Sequence, residues 1–276
     1  MPSSSPHNVP VLMYHHISPS TGSLTTSPAN FRSQMQWLAR HGWTTLSAAQ
    51  FSAFLAGEPA PRKSVLLTFD DGYLDNYVYA HPVLQAFGLT ATMFLVTGWL
   101  HDGPARTHAG QGSGGLPATP GHHESKALVA AGRTDEVIVR WSEVHAMRQA
   151  GTFEFHSHTH THTRWDKVHA EAARKREALA EDLSRSAAAL RAHLGQSSDH
   201  LCWPQGYFDD DYVQVAHAQG LRHLYTTDAR GHNRPGNRPD HIYRVAVKNK
   251  GGALFANRLW LAQSPGIGAL YNALKR

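Results

Sequence analysis

"KSVLLTFDDGY", residues 63–73, decides how the rest of the chain is read. Val65 to Phe69 run apolar without polar alternation, the pattern of a strand buried on both faces. Asp70, Asp71 and Gly72 then break it. Strands buried on both faces belong to parallel sheets covered by helices, and such folds place their chemistry at the strands' C-terminal ends. Two adjacent carboxylates repel, and each loses hydration when buried, so the pair is costly unless something uses it. Neighbours on a strand point to opposite faces, but a turn at Gly72 lets both carboxylates approach one site. The competing reading is an ordinary Asp-Gly turn.

Working outward, further short apolar runs read as strands at 9–17, 90–100, 152–157, 200–204, 221–227 and 241–247. Helical patterns separate them. Residues 27–43 carry Phe31, Met35 and Leu38 at helical spacing behind the candidate cap Ser27. The stretch 76–89 is helical with a kink or restart at Pro82 and a cap at Gly88. Residues 169–195 form a long amphipathic helix striped by Leu179, Leu183, Leu190 and Leu194. Further helical segments fall at 51–59, 140–151, 209–220 and 252–263. Strands alternating with helices, with no break in composition, imply one α/β domain over 1–276 whose parallel sheet closes into a barrel. Residues 101–136 are rich in Gly, Pro, Ser and His, and read as a long flexible insertion beside the site mouth.

The chain has 276 residues, and Lys plus Arg exceed Asp plus Glu for a net charge of +5. That balance suits an anionic substrate or an acidic membrane surface. No dense basic run or nucleic-acid motif is present, so nucleic acid is not an expected partner. No apolar run reaches the ~20 residues of a membrane span, and no signal peptide opens the chain, so a cytoplasmic protein is expected. The single cysteine, Cys202, fits a reducing compartment and reads as buried packing. The basic, partly apolar stretch at 254–276 suits contact with a membrane surface, with core packing as the alternative. The oligomeric state is not legible.

Residues 154–165, "EFHSHTHTHTRW", place a histidine at every second position from His156 to His162. With 21 histidines in the chain, most must be structural. On an extended strand His158 and His162 would have Cα atoms roughly 13 Å apart, too far to share an ion. A helical turn after Ser157 would make them i, i+4 neighbours, and His156/His160 is the competing pair. Two histidines and one carboxylate give three ligands with a position left for water, as in catalytic zinc-type sites. The second aspartate would then be free to act as general base.

These motifs resemble those of the NodB-homology polysaccharide deacetylases, carbohydrate esterase family 4. "TFDDG" at 68–72 matches the family's first motif, and "SHTHTH" at 157–162 the second, with His158 and His162 in register. "WPQG" at 203–206 is similar to the third. "YHHI" and the "WPxG" form look most like deacetylases of β-1,6-linked N-acetylglucosamine polymers. The resemblance extends from "VPVLMYHHIS" to "YRVAV", most of the chain. It implies a distorted (β/α)7-type barrel and removal of acetyl groups from an N-acetylated glycan. It implies Asp71, His158 and His162 as ligands of one divalent metal, zinc first, with Co2+, Ni2+ or Fe2+ admitted by the same donors. It implies Asp70 as base and a backbone N–H at the third motif as oxyanion donor.

Two departures matter. Gln205 stands where the family usually has tyrosine. No late Leu-x-His motif supplies the general acid, so His15, at the end of the first strand, is the candidate and His16 the second. Trp203, Gln205 and Arg244 are candidate substrate contacts; for Trp203 the alternative is the core, and for Arg244 it is orientation of Asp70 or an exterior ion pair. The rival functions are hydrolysis of a lipid-linked sugar or small amide, and a non-catalytic glycan-binding barrel.

Overall fold

The computed structural model describes residues 6–112 and 114–263. Seven strands form the path of the main sheet: β1 Val11–Tyr14, β2 Ser64–Phe69, β3 Ala91–Leu95, β4 Phe153–Ser157, β5 His200–Cys202, β6 His223–Tyr225 and β7 Val245–Ala246. Their order across the sheet is β7-β1-β2-β3-β4-β5-β6, and every pairing is parallel. A two-residue strand, Thr44–Thr45, adds to the start of β2. Between β6 and β7 the sheet is bridged through Tyr225 and Ile242. The result is a curled, half-open barrel, as the alternation of strands and helices implies.

All six residues of β2 are buried. The pleat sends Val65, Leu67 and Phe69 outward, into a core shared with Phe31, Met35 and Leu38 of the helix Pro28–Arg40. Leu66 points inward, in a second cluster with Val11, Phe94, Cys202 and Tyr225. Asp70 follows Leu66 at even spacing. Thus the strand's own periodicity aims Asp70 into the barrel. Each large apolar side chain so buried contributes about 1.5–3 kcal/mol.

Ser27 caps the first helix by accepting from Asn30 N, and Pro28 occupies its first position. The stretch at 76–89 differs from a simple kink: a π-helical turn, Asn76–Ala80, runs into the helix His81–Phe87. Pro82 has no N–H to close a regular turn on Val78, so the ladder widens there. The segment read as a loop at 101–136 carries a helix, His122–Ala130. Its flanking glycines and prolines dominate the local composition and mask the helical "HHESKALVA". Arg106 ties this segment down through both oxygens of buried Glu143 and the carbonyls of Asp135 and Ile138.

No helix among the described residues is long and apolar enough to cross a membrane. The stretch at 254–276 lies partly outside the described residues. Within it, Phe255 and Leu259 pack in the core, while Leu254 and Trp260 are exposed.

Candidate metal centre and active-site pocket

A cavity of about 320 Å3 opens at the C-terminal ends of the strands. Its walls include Asp70, Asp71, His158 and His162, with His15 and Gln205 at its sides. The two carboxylates reach it by different routes. Asp70 continues β2, whereas Asp71 and Gly72 both take left-handed backbone angles, φ 74° and 77°. That reversal turns Asp71 back toward the cavity instead of letting it follow the pleat outward. At Gly72 a Cβ would lie 2.8 Å from Leu95 Cδ2, so the turn needs glycine for space as well as for conformation.

Asp71 Oδ1 lies 3.2 Å from His158 Nε2 and 3.5 Å from His162 Nε2. The expected helical turn after Ser157 does not form. Residues 158–164 contain no helix; instead Thr159 and His162 take positive φ, 66° and 61°. This compact turn brings the two rings to 4.9 Å between centroids. It is held from outside the run: Asp182 accepts from the backbone N–H groups of His160 and Thr161. His160 points away from the metal cluster, with its ring against Thr97 and its carbonyl accepting from Gly98 N. His156 stays inside the barrel, one pleat repeat below His158.

The donor set fits a divalent cation. His158 Nδ1 donates to the carbonyl of Cys202 at 2.8 Å, so Nδ1 carries a proton. This is the outer-sphere bond that orients metal-ligating imidazoles. Without an ion, burial opposes the charged form of His158, but the neighbouring acids outweigh it and push the pKa up. Nε2 is then protonated toward Asp71, the position an ion would take in that proton's place. Burial holds the His162 pKa down to about 4, leaving that imidazole uncharged near neutral pH. For Asp71, burial opposes ionisation, but His158 and His162 outweigh it and keep the carboxyl well below the usual range. Nitrogen and carboxylate donors together suit Zn2+ and its first-row neighbours.

Asp70 has a different environment. Its two oxygens accept from Arg244 Nη1 and Nη2 at 2.7 and 2.8 Å, a bidentate pair with both side chains buried. Burial alone would raise its pKa; the guanidinium overcomes that and lowers it. Arg244 is locked in turn by Thr226 O and Thr68 Oγ1. It therefore holds Asp70 and is not among the residues that line the cavity. Cys202 is buried among the inward-facing side chains, and its Sγ lies 3.0 Å from Arg244 Nη2 and 3.7 Å from Asp70 Oδ2, so it packs directly beneath this pair.

His15 lies on the cavity wall, its Nε2 3.8 Å from Asp70 Oδ2. Burial lowers its pKa, although Asp70 and Asp71 pull the other way. His16 faces elsewhere: it is fully buried, bonded to Asp75 Oδ2 at 2.6 Å and stacked on Tyr73. The two histidines diverge, as the pleat requires. Trp203 is fully buried and belongs both to the cavity wall and to the core beside Tyr212. Gln205 takes a left-handed φ of 56° on the rim, and a Cβ on Gly206 would lie 2.1 Å from Thr227 Oγ1. The third motif is thus a constrained turn whose backbone, more than its side chains, is specified.

Several wall residues were not singled out from sequence. His122 and Lys126 come from the helix in the 101–136 segment, and Trp99 from the turn after β3. Trp99 packs 5.3 Å from the His162 ring. The available signal was positional: "TGWL" follows an apolar strand as "DDG" does.

The pattern of the polysaccharide deacetylase family matches residues 57–224. The chain is 45% identical over 92 residues to the polysaccharide deacetylase-type protein YxkH of Bacillus subtilis, covering 33% of each chain. It is 36% identical over 105 residues to the poly-beta-1,6-N-acetyl-D-glucosamine N-deacetylase of Escherichia coli K12, covering 36% of this chain and 16% of that one. The protein of the same name from Staphylococcus aureus N315 is 24% identical over 229 residues, 82% of this chain and 68% of the relative. The aligned stretches thus span a third or less of the first two relatives. In fold, the chain is similar to IcaB from Ammonifex degensii, with TM-score 0.71 and 23% identity over 94% of this chain and 99% of that one. Because the family pattern matches more than half of its length, the chain belongs to the NodB-homology polysaccharide deacetylase family.

Proposed function

We propose that the protein is a metal-dependent N-deacetylase that releases acetate from an N-acetylated sugar of a bacterial glycan. One observation carries this reading. Two adjacent carboxylates in one cavity have been given separate environments, Asp71 against two imidazoles and Asp70 against a buried guanidinium. A glycan-binding barrel has no use for that division; a hydrolase does.

Asp71, His158 and His162 would hold the ion, zinc being the first choice for this donor set. Bound there, a divalent ion supplies Lewis-acid polarisation of the acetamide carbonyl and acidifies water. Asp70, kept anionic by Arg244, takes the proton of the attacking water. The water oxygen bonds to the carbonyl carbon, and the backbone N–H of Gln205 is the donor for the oxygen that gains charge, since the Gly206 N–H is spent on the Trp203 carbonyl. As the C–N bond breaks, the nitrogen must gain a proton. His15 stands beside Asp70 and is suited to deliver it. Because burial favours neutral His15, Asp70 and His15 together form a relay that returns the water's proton to the departing amine. Acetate and the free amino sugar result.

The names of the Escherichia coli and Staphylococcus aureus relatives support a β-1,6-linked N-acetylglucosamine polymer as substrate. The test is acetate release by the metal-loaded protein from β-1,6- and β-1,4-linked N-acetylglucosamine oligomers, a lipid-linked N-acetyl sugar and simple amides. Metal-stripped protein is the control. Preference for the β-1,6 oligomers supports the whole reading; preference for another glycan moves the linkage. No release from any substrate at full metal occupancy rejects catalysis.

A further inference from the structure

A second cluster lies below the cavity, toward the N-terminal ends of β5 and β6. His200 and His223 begin those strands, and His156, the fourth residue of β4, lies level with them one pleat repeat below His158. They form a lateral row: His200 pairs in register with His223, and the pairing of Ser157 with Leu201 places His156 beside His200. The ring centroids of His156 and His200 are 4.6 Å apart, and those of His200 and His223 are 4.4 Å apart. Asp199 caps the row. Its Oδ1 is 3.4 Å from His200 Nε2, and its Oδ2 is 3.2 Å from His223 Nδ1.

We propose that Asp199, His200 and His223 bind a second divalent transition-metal ion, which clips the starts of β5 and β6 together.

The spacing is the first support. Ligands at 2.0–2.1 Å from a tetrahedral ion are ~3.3 Å apart. The Asp199 contacts are of this length, one from each oxygen, and one donor atom from each of Asp199, His200 and His223 lies within 4.8 Å of the others; in the cavity a single Asp71 oxygen makes the 3.2 and 3.5 Å contacts. The second support is unmet bonding. His223 Nδ1 is buried and makes no well-formed hydrogen bond, despite its distance to Asp199. Tyr225 Oη lies 3.0 Å from His200 Nδ1 and can accept its proton, the tautomer in which Nε2 is free to ligate an ion beside Asp199. In that tautomer the contact parallels the one from His158 Nδ1 to Cys202 O.

His156 shows the same poise. Ser198 Oγ spends its proton on the carbonyl of His200, so it accepts from His156 Nδ1. His156 Nε2 is buried without a hydrogen-bond partner, its near neighbour being the Glu154 carboxylate at 3.9 Å. The Asp199 side chain is 53% exposed, which gives an ion a way in and leaves room for water as a further ligand. The cluster is open only at this edge and is walled inside by Phe94 and Tyr225, so it suits a structural ion better than a substrate.

The experiment is Zn2+ titration of the tag-free full chain against a chromophoric chelator, with melting temperature as second readout. Wild type should bind two equivalents tightly. Asp71→Asn should keep one equivalent and still gain melting temperature with Zn2+. Asp199→Asn, at a half-exposed position that tolerates the change, should weaken the second equivalent at least tenfold. The double variant should hold neither. A single tight equivalent in wild type, lost in Asp71→Asn, overturns the proposal. So does a second equivalent that Asp199→Asn leaves unchanged, which would mark weak binding spread over the other histidines. The Asp71 and Asp199 arms report separately, so neither outcome depends on the catalytic reading of the cavity.

Discussion

Replacing Arg244 with methionine removes one half of a buried ion pair and leaves Asp70 in place. Both side chains are almost wholly out of water, at 0% and 3% exposure, and the pair is bidentate. Breaking such a pair costs about 3–5 kcal/mol, because the remaining charge is buried without compensation. For a domain of this size each kcal/mol moves the melting temperature by about 2–4 °C, so a fall of ~6–20 °C follows at neutral pH. The deficit has a pH signature. In the native protein the Asp70 pKa lies below its unfolded value of about 3.9. Its contribution to stability is therefore complete above that value and is lost only as pH falls through the folded pKa. Without Arg244, burial becomes the leading influence and raises the Asp70 pKa above the unfolded value. Ionised Asp70 is then a liability at neutral pH, relieved as pH falls through the raised pKa. Melting curves from pH 8 to 5 should show the gap between variant and wild type narrowing. The acidic limb of kcat/KM for acetate release should move to higher pH at matched metal content. Adding Asp70→Asn to Arg244→Met should restore stability. A deficit that is constant with pH, together with an unmoved acidic limb, would refute the reasoning.

Asp70→Asn alone should retain the metal and lose turnover by about 10²–10⁴, the range for general base catalysis; wild-type rates would reject its role. His158→Ala should lose both metal and activity, whereas His160→Ala, which gives up a Thr97 contact outside the cluster, should keep both and cost about 0.5–1.5 kcal/mol. Equal losses of metal in the two variants would mean that the turn is misread. His15→Ala should depress amide hydrolysis with the metal still bound, and affect activated esters less, because their leaving groups need no proton. If both substrate classes react normally, the proton comes from another group.

Much of the architecture is written locally. An apolar run long enough for a strand, followed by a break, marks β2 whatever lies elsewhere in the chain, and the same holds for the other strands. The pleat sets which of two neighbours faces inward, so the divergence of His15 and His16 follows from adjacency alone. The candidate ligands Asp71, His158 and His162 were legible because each lies within a few residues of a strand end. Other features depend on which strands become neighbours. Arg244 is 174 residues from Asp70, and only the closing of β7 onto β1 brings its guanidinium beneath that carboxylate. Cys202 reads from sequence only as packing, and tertiary structure sets its Sγ beside Arg244. The turn at Thr159 and His162 replaced a helix because Asp182, on a distant helix, holds the backbone N–H groups of His160 and Thr161. The helix His122–Ala130 was hidden by its flanks, and only packing shows that it walls the cavity. The row of His156, His200 and His223 exists through the register of β4, β5 and β6. Local sequence sets the direction of a side chain; its partner is set by the crossovers, whose register no single stretch of sequence contains.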